Sequence, residues 1–205
     1  MQRFLSVTVG FSTILSSYSA PMTTALVLID LQNDYFPGGA MELVGSNDAV
    51  AQAKALLLAF RERSLPIFHV QHISIRPNAT FFLPNTTGVD IHRSVQPTVG
   101  ESIIKKHFPS SFRETTLLEH LRAVNATKLI IVGMMTHMCV DTTVRAAADL
   151  GFECFLAQDA CATRALQFSD HRVEAEQVQT SYLAALNGAF SQVLPAHQII
   201  AHHLG

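Results

Sequence analysis

The stretch that most constrains the fold runs from Lys128 to Gly151: Lys-Leu-Ile-Ile-Val-Gly-Met-Met-Thr-His-Met-Cys-Val-Asp-Thr-Thr-Val-Arg-Ala-Ala-Ala-Asp-Leu-Gly. Leu129 to Val132 is an unbroken apolar run, the pattern of a short strand buried on both faces of a parallel sheet. From Val140 onward the apolar positions take helical spacing, at Val140, Val144, Ala147 and Ala148, with Gly151 as a C-terminal stop. Cys139 is thereby placed where a strand gives way to a helix. Unpaired amide N–H groups and the positive end of the helix dipole favour a thiolate at such a place, and the same amides could hold an oxyanion. The plain alternative is that Cys139 is one more small buried hydrophobe, and position alone does not separate the two.

Composition sets the outer limits. The 205 residues, 48% hydrophobic and 15% charged, suffice for one sizeable core and are most simply one domain. A net charge of -2, with no basic cluster beyond Lys105 and Lys106, supplies no field for nucleic acid. Three cysteines, none in a Cys-x-x-Cys pair, do not make a disulfide framework, so a reducing, cytoplasmic compartment is favoured. Cys154 and Cys161 read as plain core residues. The ten histidines are scattered rather than set at metal-ligand spacing.

Residues 1–22 read as an N-terminal extension ahead of a domain spanning 23–205. The run from Phe4 to Leu15, followed by small residues before Pro21, also resembles a weak secretory signal, which would make the protein an exported one. It is too short and too polar for a permanent membrane span.

Ala25 to Ile29 is the first buried strand, and Asp30 stands at its carboxyl end. Open parallel sheets bind ligands there, and a carboxylate following an apolar run needs a partner. Asp34, in the turn-rich loop that follows, reads as a turn or capping residue. Ser46 reads as the N-cap of a helix with Val50, Ala53, Leu57 and Phe60 on one side, ending near Arg63. Ile67 to Val70 is the next strand. Strand, helix and strand make a right-handed crossover unit, as in doubly wound folds. The segment from His72 to Gly100 is irregular, and a loop of that length is usually functional; its Phe81 and Phe82 line a pocket or form satellite core. Ile103 to Phe108 reads as a short strand, so Lys105 and Lys106 point to opposite faces and only one can enter a site. Thr115 or Thr116 caps a helix through Leu121. After Asp159, a loop at Thr163 to Ala165 and a helix over about 170–187 are expected, with Val173, Gln177, Thr180, Leu183 and Ala184 on one face. Val193 and Leu194 finish the sheet.

Three segments together are specific. Asp30 within Leu-Ile-Asp-Leu-Gln-Asn-Asp-Tyr-Phe, Lys106 within Lys-His-Phe-Pro-Ser-Ser-Phe, and Cys139 within Gly-Met-Met-Thr-His-Met-Cys-Val-Asp-Thr-Thr resemble the signature segments of the isochorismatase-like cysteine hydrolases, in order. The strand closing on Asp159-Ala160 is similar to the family's next one. The resemblance implies an α/β, doubly wound, Rossmann-like three-layer fold with a six-stranded parallel sheet flanked by helices. It also implies a catalytic triad of Asp30, Lys106 and Cys139, a cis peptide at Met134-Met135, an oxyanion hole from the Met135 and Cys139 amides, and a homo-oligomer. Gln32 and Tyr35 match positions lining the substrate pocket in relatives, and His72, Phe81 and His137 complete the candidate substrate-binding set.

Nicotinamidases in this family carry a metal site of Asp and His residues after the second strand, whereas Val70 to Pro77 here has no Asp-x-His. No metal, no other cofactor and a substrate other than nicotinamide are expected. Three readings follow: a cysteine amidohydrolase acting on a small amide or acyl substrate, a vinyl-ether hydrolase of the isochorismatase type using Asp30 without the thiol, and a non-catalytic relative that binds a small ligand or senses oxidants.

Overall fold

The computed structural model describes residues 23–204, so the expected N-terminal extension lies outside the described residues. The strands are β1 (Thr23–Ile29), β2 (Ile67–His72), β3 (Ser102–Lys106), β4 (Ala126–Met134), β5 (Glu153–Ala162), β6 (Leu166–Phe168), β7 (His171–Val173) and β8 (Gln192–Leu194). The helices are α1 (Ser46–Glu62), α2 (Leu117–Ala123), α3 (Asp141–Asp149), α4 (Ala175–Leu186) and α5 (Ala196–His202). Six strands form one sheet in the order β3-β2-β1-β4-β5-β8, each parallel to its neighbour. This is the three-layer α/β fold that the resemblance implies.

The layers follow from the twofold alternation of side chains along each strand. Leu26, Leu28, Ile130, Val132, Phe155 and Ala157 face α1 and α5, where they meet Ala53, Leu56, Leu57, Phe60 and Ile199. Ala25, Val27, Ile29, Leu129, Ile131 and Leu156 face the other layer and meet Leu117, Leu121, Val144, Ala147 and Leu186 of α2, α3 and α4. Burying each such Leu or Ile contributes about 2 kcal/mol, and truncating a fully buried one such as Leu57 to Ala would cost roughly 2–5 kcal/mol.

Chain order changes direction between β1 and β4, because β2 and β3 build outward on one side while β4, β5 and β8 build on the other. A crevice opens at the carboxyl ends of strands at such a point. Gly133 allows the two central strands to close there. Its φ is +136°, and a Cβ would run into the Ile29 carbonyl oxygen.

Several local expectations are corrected. Ser46 is the first residue of α1, not its cap; Gly45 occupies that position in a left-handed conformation with no side-chain hydrogen bond. The expected helix over 170–187 begins only at Ala175, behind the antiparallel hairpin β6–β7, with Glu174 and Gln177 forming its capping box. Val173 therefore belongs to a strand, and the buried positions of the helix are Ala175, Val178 and Leu186. Strand β3 ends at Lys106, two residues short of Phe108. No helix among the described residues is long and apolar enough to cross a membrane.

Candidate active site

Asp30, Lys106 and Cys139 come from three chain segments and meet at the carboxyl end of the sheet. Asp30 follows β1 with φ +51°, a left-handed turn that a short polar side chain tolerates. Lys106 ends β3 and Cys139 lies in the π-turn Thr136–Val140 between β4 and α3. Such turns are frequent at functional sites. The peptide bond Met134-Met135 at the mouth of this turn is cis. The turn is held internally by the Met135 carbonyl, which accepts from Met138 and Val140 at 3.0 and 3.2 Å. It is tied to β5 by Thr136 Oγ1, which donates to the Ala162 carbonyl at 3.2 Å.

Lys106 Nζ lies 2.8 Å from Asp30 Oδ2 with both side chains fully buried. Yet neither carboxylate oxygen accepts a well-directed hydrogen bond. Lys106 aims its ammonium at the Phe108 and Pro109 carbonyls, at 3.1 and 3.4 Å, and at His72 Nδ1, at 3.0 Å. Of the two lysines only this one enters, as strand alternation requires; Lys105 is exposed. Burial opposes its charge, but Asp30 and Cys139 together raise its pKa above the ordinary lysine value. It is an ammonium at neutral pH.

Cys139 departs from the expectation of a helix-stabilised thiolate. It sits inside the helical turn rather than at the first residue of a helix, and it is buried. Burial first, and then the Asp30 carboxylate, push its thiol well up, and Lys106 only partly opposes this. The sulfur rests as a thiol until a neighbouring base takes its proton. Burial also raises Tyr35 well above its usual range, with Cys139 and Asp30 adding to the effect, so the phenol stays protonated.

The other sequence-predicted residues divide by role. Gln32 is fully buried, but both of its amide hydrogens are taken by backbone carbonyls, His72 at 2.9 Å and Val89 at 2.7 Å, and its oxygen accepts from the His72 N–H at 2.7 Å. It is a clamp on the chain that carries His72. Tyr35 and Phe81 belong to a ring cluster with Phe82, at centroid separations of 4.6 to 5.9 Å. Phe82 is wholly in the core and Phe81 half-buried. His137 faces elsewhere: its Nδ1 lies 2.6 Å from Thr163 Oγ1 and its ring 6.0 Å from that of Tyr182.

Sequence reasoning missed Thr163, which anchors His137, although a polar residue ending an apolar strand was a signal. Asp34 is the turn residue expected, and it also binds loop to loop. Its carboxylate accepts from the Ala40 and Phe82 amides at 3.2 and 2.6 Å, and Gly88 packs where any Cβ would strike it.

Two cavities flank the site. The larger, about 590 Å³, opens between residues 33–40 and 80–92 and has none of Asp30, Lys106 or Cys139 in its wall. A smaller one of about 270 Å³ is lined by His72, Ser74, Arg76, Thr80 and Phe81; none of the three lines it either, and it meets the site through His72. Its contact with His72, not its size, makes it the relevant one. Asp30, His72 and Cys139 also offer three metal-ligand atoms within 4.8 Å of one another. The Lys106 ammonium already contacts two of these groups, so a cation placed among them would have to displace a positive charge.

Comparison with known proteins identifies the family. Residues 24–187 match the isochorismatase domain. The isochorismatase family protein YddQ of Bacillus subtilis is 49% identical over 172 residues, covering 84% of this chain and 96% of that one. The crystal structure of an isochorismatase hydrolase from Oleispira antarctica superimposes with a TM-score of 0.85 at 47% identity, over 87% of this chain and 96% of that chain. Nicotinamidase 3 of Arabidopsis thaliana is more distant, 29% identical over 151 residues, covering 68% of this chain and 73% of its own. The chain belongs to the isochorismatase family of hydrolases.

Proposed function

We propose that the protein hydrolyses the C–N bond of a small carboxamide through a thioester on Cys139. The observation that carries this reading is a buried thiol beside a buried carboxylate whose oxygens accept no well-directed hydrogen bond, with an ammonium balancing the charge. A structural carboxylate at that depth would have its lone pairs satisfied.

Asp30 takes the Cys139 proton as the sulfur attacks the amide carbonyl, and Lys106 holds the two groups together against the developing charge. A C–S bond forms and the carbonyl π electrons move to oxygen. The Met135 and Cys139 amides are assigned to that oxyanion, each donor contributing roughly 3 kcal/mol to the transition state. When the intermediate collapses the C–N bond breaks, and Asp30 returns its proton to the leaving nitrogen. Water then attacks the thioester with Asp30 as base. The C–S bond breaks, the acid leaves and the thiol is restored.

A nicotinamidase among the relatives supports an amide as the substrate class. Ammonia release from a panel of aliphatic, aromatic and ureido primary amides tests the reading. Turnover of some member, with a loss of more than about a thousandfold in Cys139→Ala, is expected. Undiminished turnover by the variant would leave Asp30 acting alone, as in vinyl-ether hydrolysis. No ammonia from either protein would remove the amidase reading.

A further inference from the structure

The Lys106 ammonium has three protons and no lone pair. Its neighbours are Asp30 Oδ2 at 2.8 Å, the Phe108 carbonyl at 3.1 Å and His72 Nδ1 at 3.0 Å, with the Pro109 carbonyl further off at 3.4 Å. The contact with His72 is a hydrogen bond only if Nδ1 is the bare nitrogen and the ring proton sits on Nε2. The fold sets up this meeting, because parallel β2 and β3 place His72 and Lys106 directly opposite each other. Gln32 then grips the His72 backbone at its N–H and its carbonyl, so the imidazole has little freedom to swing away.

We propose that His72 is the positioning residue of this site: its neutral imidazole accepts a hydrogen bond from Lys106 and fixes the ammonium between Asp30 and Cys139. The inference rests on the triad reading above and adds a fourth side chain to it. Three acceptors, the His72 ring nitrogen and the Phe108 and Pro109 carbonyls, match the three protons, while Asp30 draws the charge from 2.8 Å, so the ammonium is left one orientation. Without the ring nitrogen a proton of the buried ammonium would be unpaired, and the group would turn to recover a partner. The charge opposite Asp30 and Cys139 would then be misplaced, and small displacements of that kind lower the rate of the chemical step.

The surroundings keep the ring neutral. Burial holds the His72 pKa down to about 4; Lys106, His107 and Arg76 also oppose a proton, and Asp30 alone favours one. At neutral pH the acceptor is present in full.

The test compares His72→Leu, which fills the space without an acceptor, with His72→Asn, whose Oδ1 falls close to the place of Nδ1. Each full-length variant is assayed for turnover of an amide accepted by the wild type and for the pH dependence of Cys139 alkylation by iodoacetamide. The Leu variant is expected to lose about tenfold or more in kcat with little change in KM, and to shift the alkylation profile. The Asn variant is expected to stay within about threefold of wild type, with an unshifted profile. Equal losses in both variants, a loss confined to KM, or no loss in the Leu variant would overturn the proposal. If the Leu variant does not fold, the ¹⁵N resonances of the wild-type ring decide: a bare, hydrogen-bonded Nδ1 with a protonated Nε2 supports it, and a protonated Nδ1 overturns it. Failure of the triad reading looks different, since the wild type itself would then release no ammonia and its Cys139 would alkylate no faster than in Lys106→Met.

Discussion

Strand β2 carries two histidines on opposite faces of the sheet, and their surroundings differ instructively. His69, nearly wholly buried, meets Glu101 Oε2 at 2.9 Å. That carboxylate is saturated: Arg61 donates to it twice, at 2.6 and 2.9 Å, and the Thr98 amide once, at 3.0 Å. Arg61 also reaches the Gln96 carbonyl at 2.8 Å, which ties α1 to the strap leading into β3. His72, three residues on, faces an ammonium, and the carboxylate beyond it accepts no well-directed hydrogen bond. Both clusters are charged, but Asp30 and Lys106 are wholly buried whereas Arg61 and Glu101 are only partly so. The Glu101 carboxylate is satisfied and ties structure together, although His69 Nδ1 beside it has no partner; the Asp30 carboxylate is unsatisfied, as the proposed base requires.

This contrast makes opposed predictions for the two carboxylates. Asp30→Asn should cost more than about a thousandfold in amide turnover while the protein remains folded, read from ammonia release and the thermal transition. Glu101→Gln should do the reverse, lowering stability by about 2 kcal/mol in urea unfolding and leaving turnover per folded molecule within about twofold. If the two variants behave alike, the distinction between a structural and a reactive carboxylate fails.

Gln32→Leu acts from behind the site. It removes the Gln32 partner of the His72 N–H and of the His72 carbonyl, while the Val89 carbonyl keeps Gln71 Nε2 at 3.0 Å, so it should cost about 1–3 kcal/mol and reduce turnover as well. Gly88→Ala, which forces a methyl group against the Asp34 carboxylate, should cost roughly 1–3 kcal/mol by loosening the loops that Asp34 joins. A thermal shift near zero for Gly88→Ala would show that those loops yield freely.

The smallest effect is the pH dependence. Glu101 is held at about 2 in the folded state, below its ordinary 4.5, by Arg61, the Thr98 amide and His69 acting against the cost of burial. A depressed carboxyl contributes stability that is present above 4.5 and lost as pH falls toward 2. His69 is lowered from 6.5, chiefly by burial, so the unfolded chain binds its proton first and stability also declines as pH falls below 6.5. The urea midpoint should therefore drop on acidification from near 6.5, and more steeply below about 5; Glu101→Gln should flatten the lower part.

Much of this was legible in the residues. The apolar runs of β1 and β4 located the sheet centre, and Asp30, Lys106 and Cys139 stood at places where strand ends and alternation put chemistry. The cap of α1 was not legible, because a left-handed Gly45 competes with a serine next to it and backbone geometry decided. Hairpin β6–β7 was hidden by its short strands and by a helical pattern that ran on through Val173. Gln32 matched a pocket-lining position of relatives, but its role as a clamp depends on backbone atoms 40 and 57 residues away. Position alone left the state of the Cys139 thiol open: the turn supplies helical geometry, but burial and a neighbouring carboxylate outweigh a helix terminus.

The nucleophilic mechanism requires a covalent bond to Cys139. Rapid quenching of the protein with a responsive amide, followed by intact mass analysis, should show an added acyl group on the peptide containing Cys139. The same adduct should be absent from Cys139→Ala, and hydroxylamine should release it as a hydroxamate. Turnover without any adduct, and undiminished in Cys139→Ala, would contradict the nucleophilic mechanism.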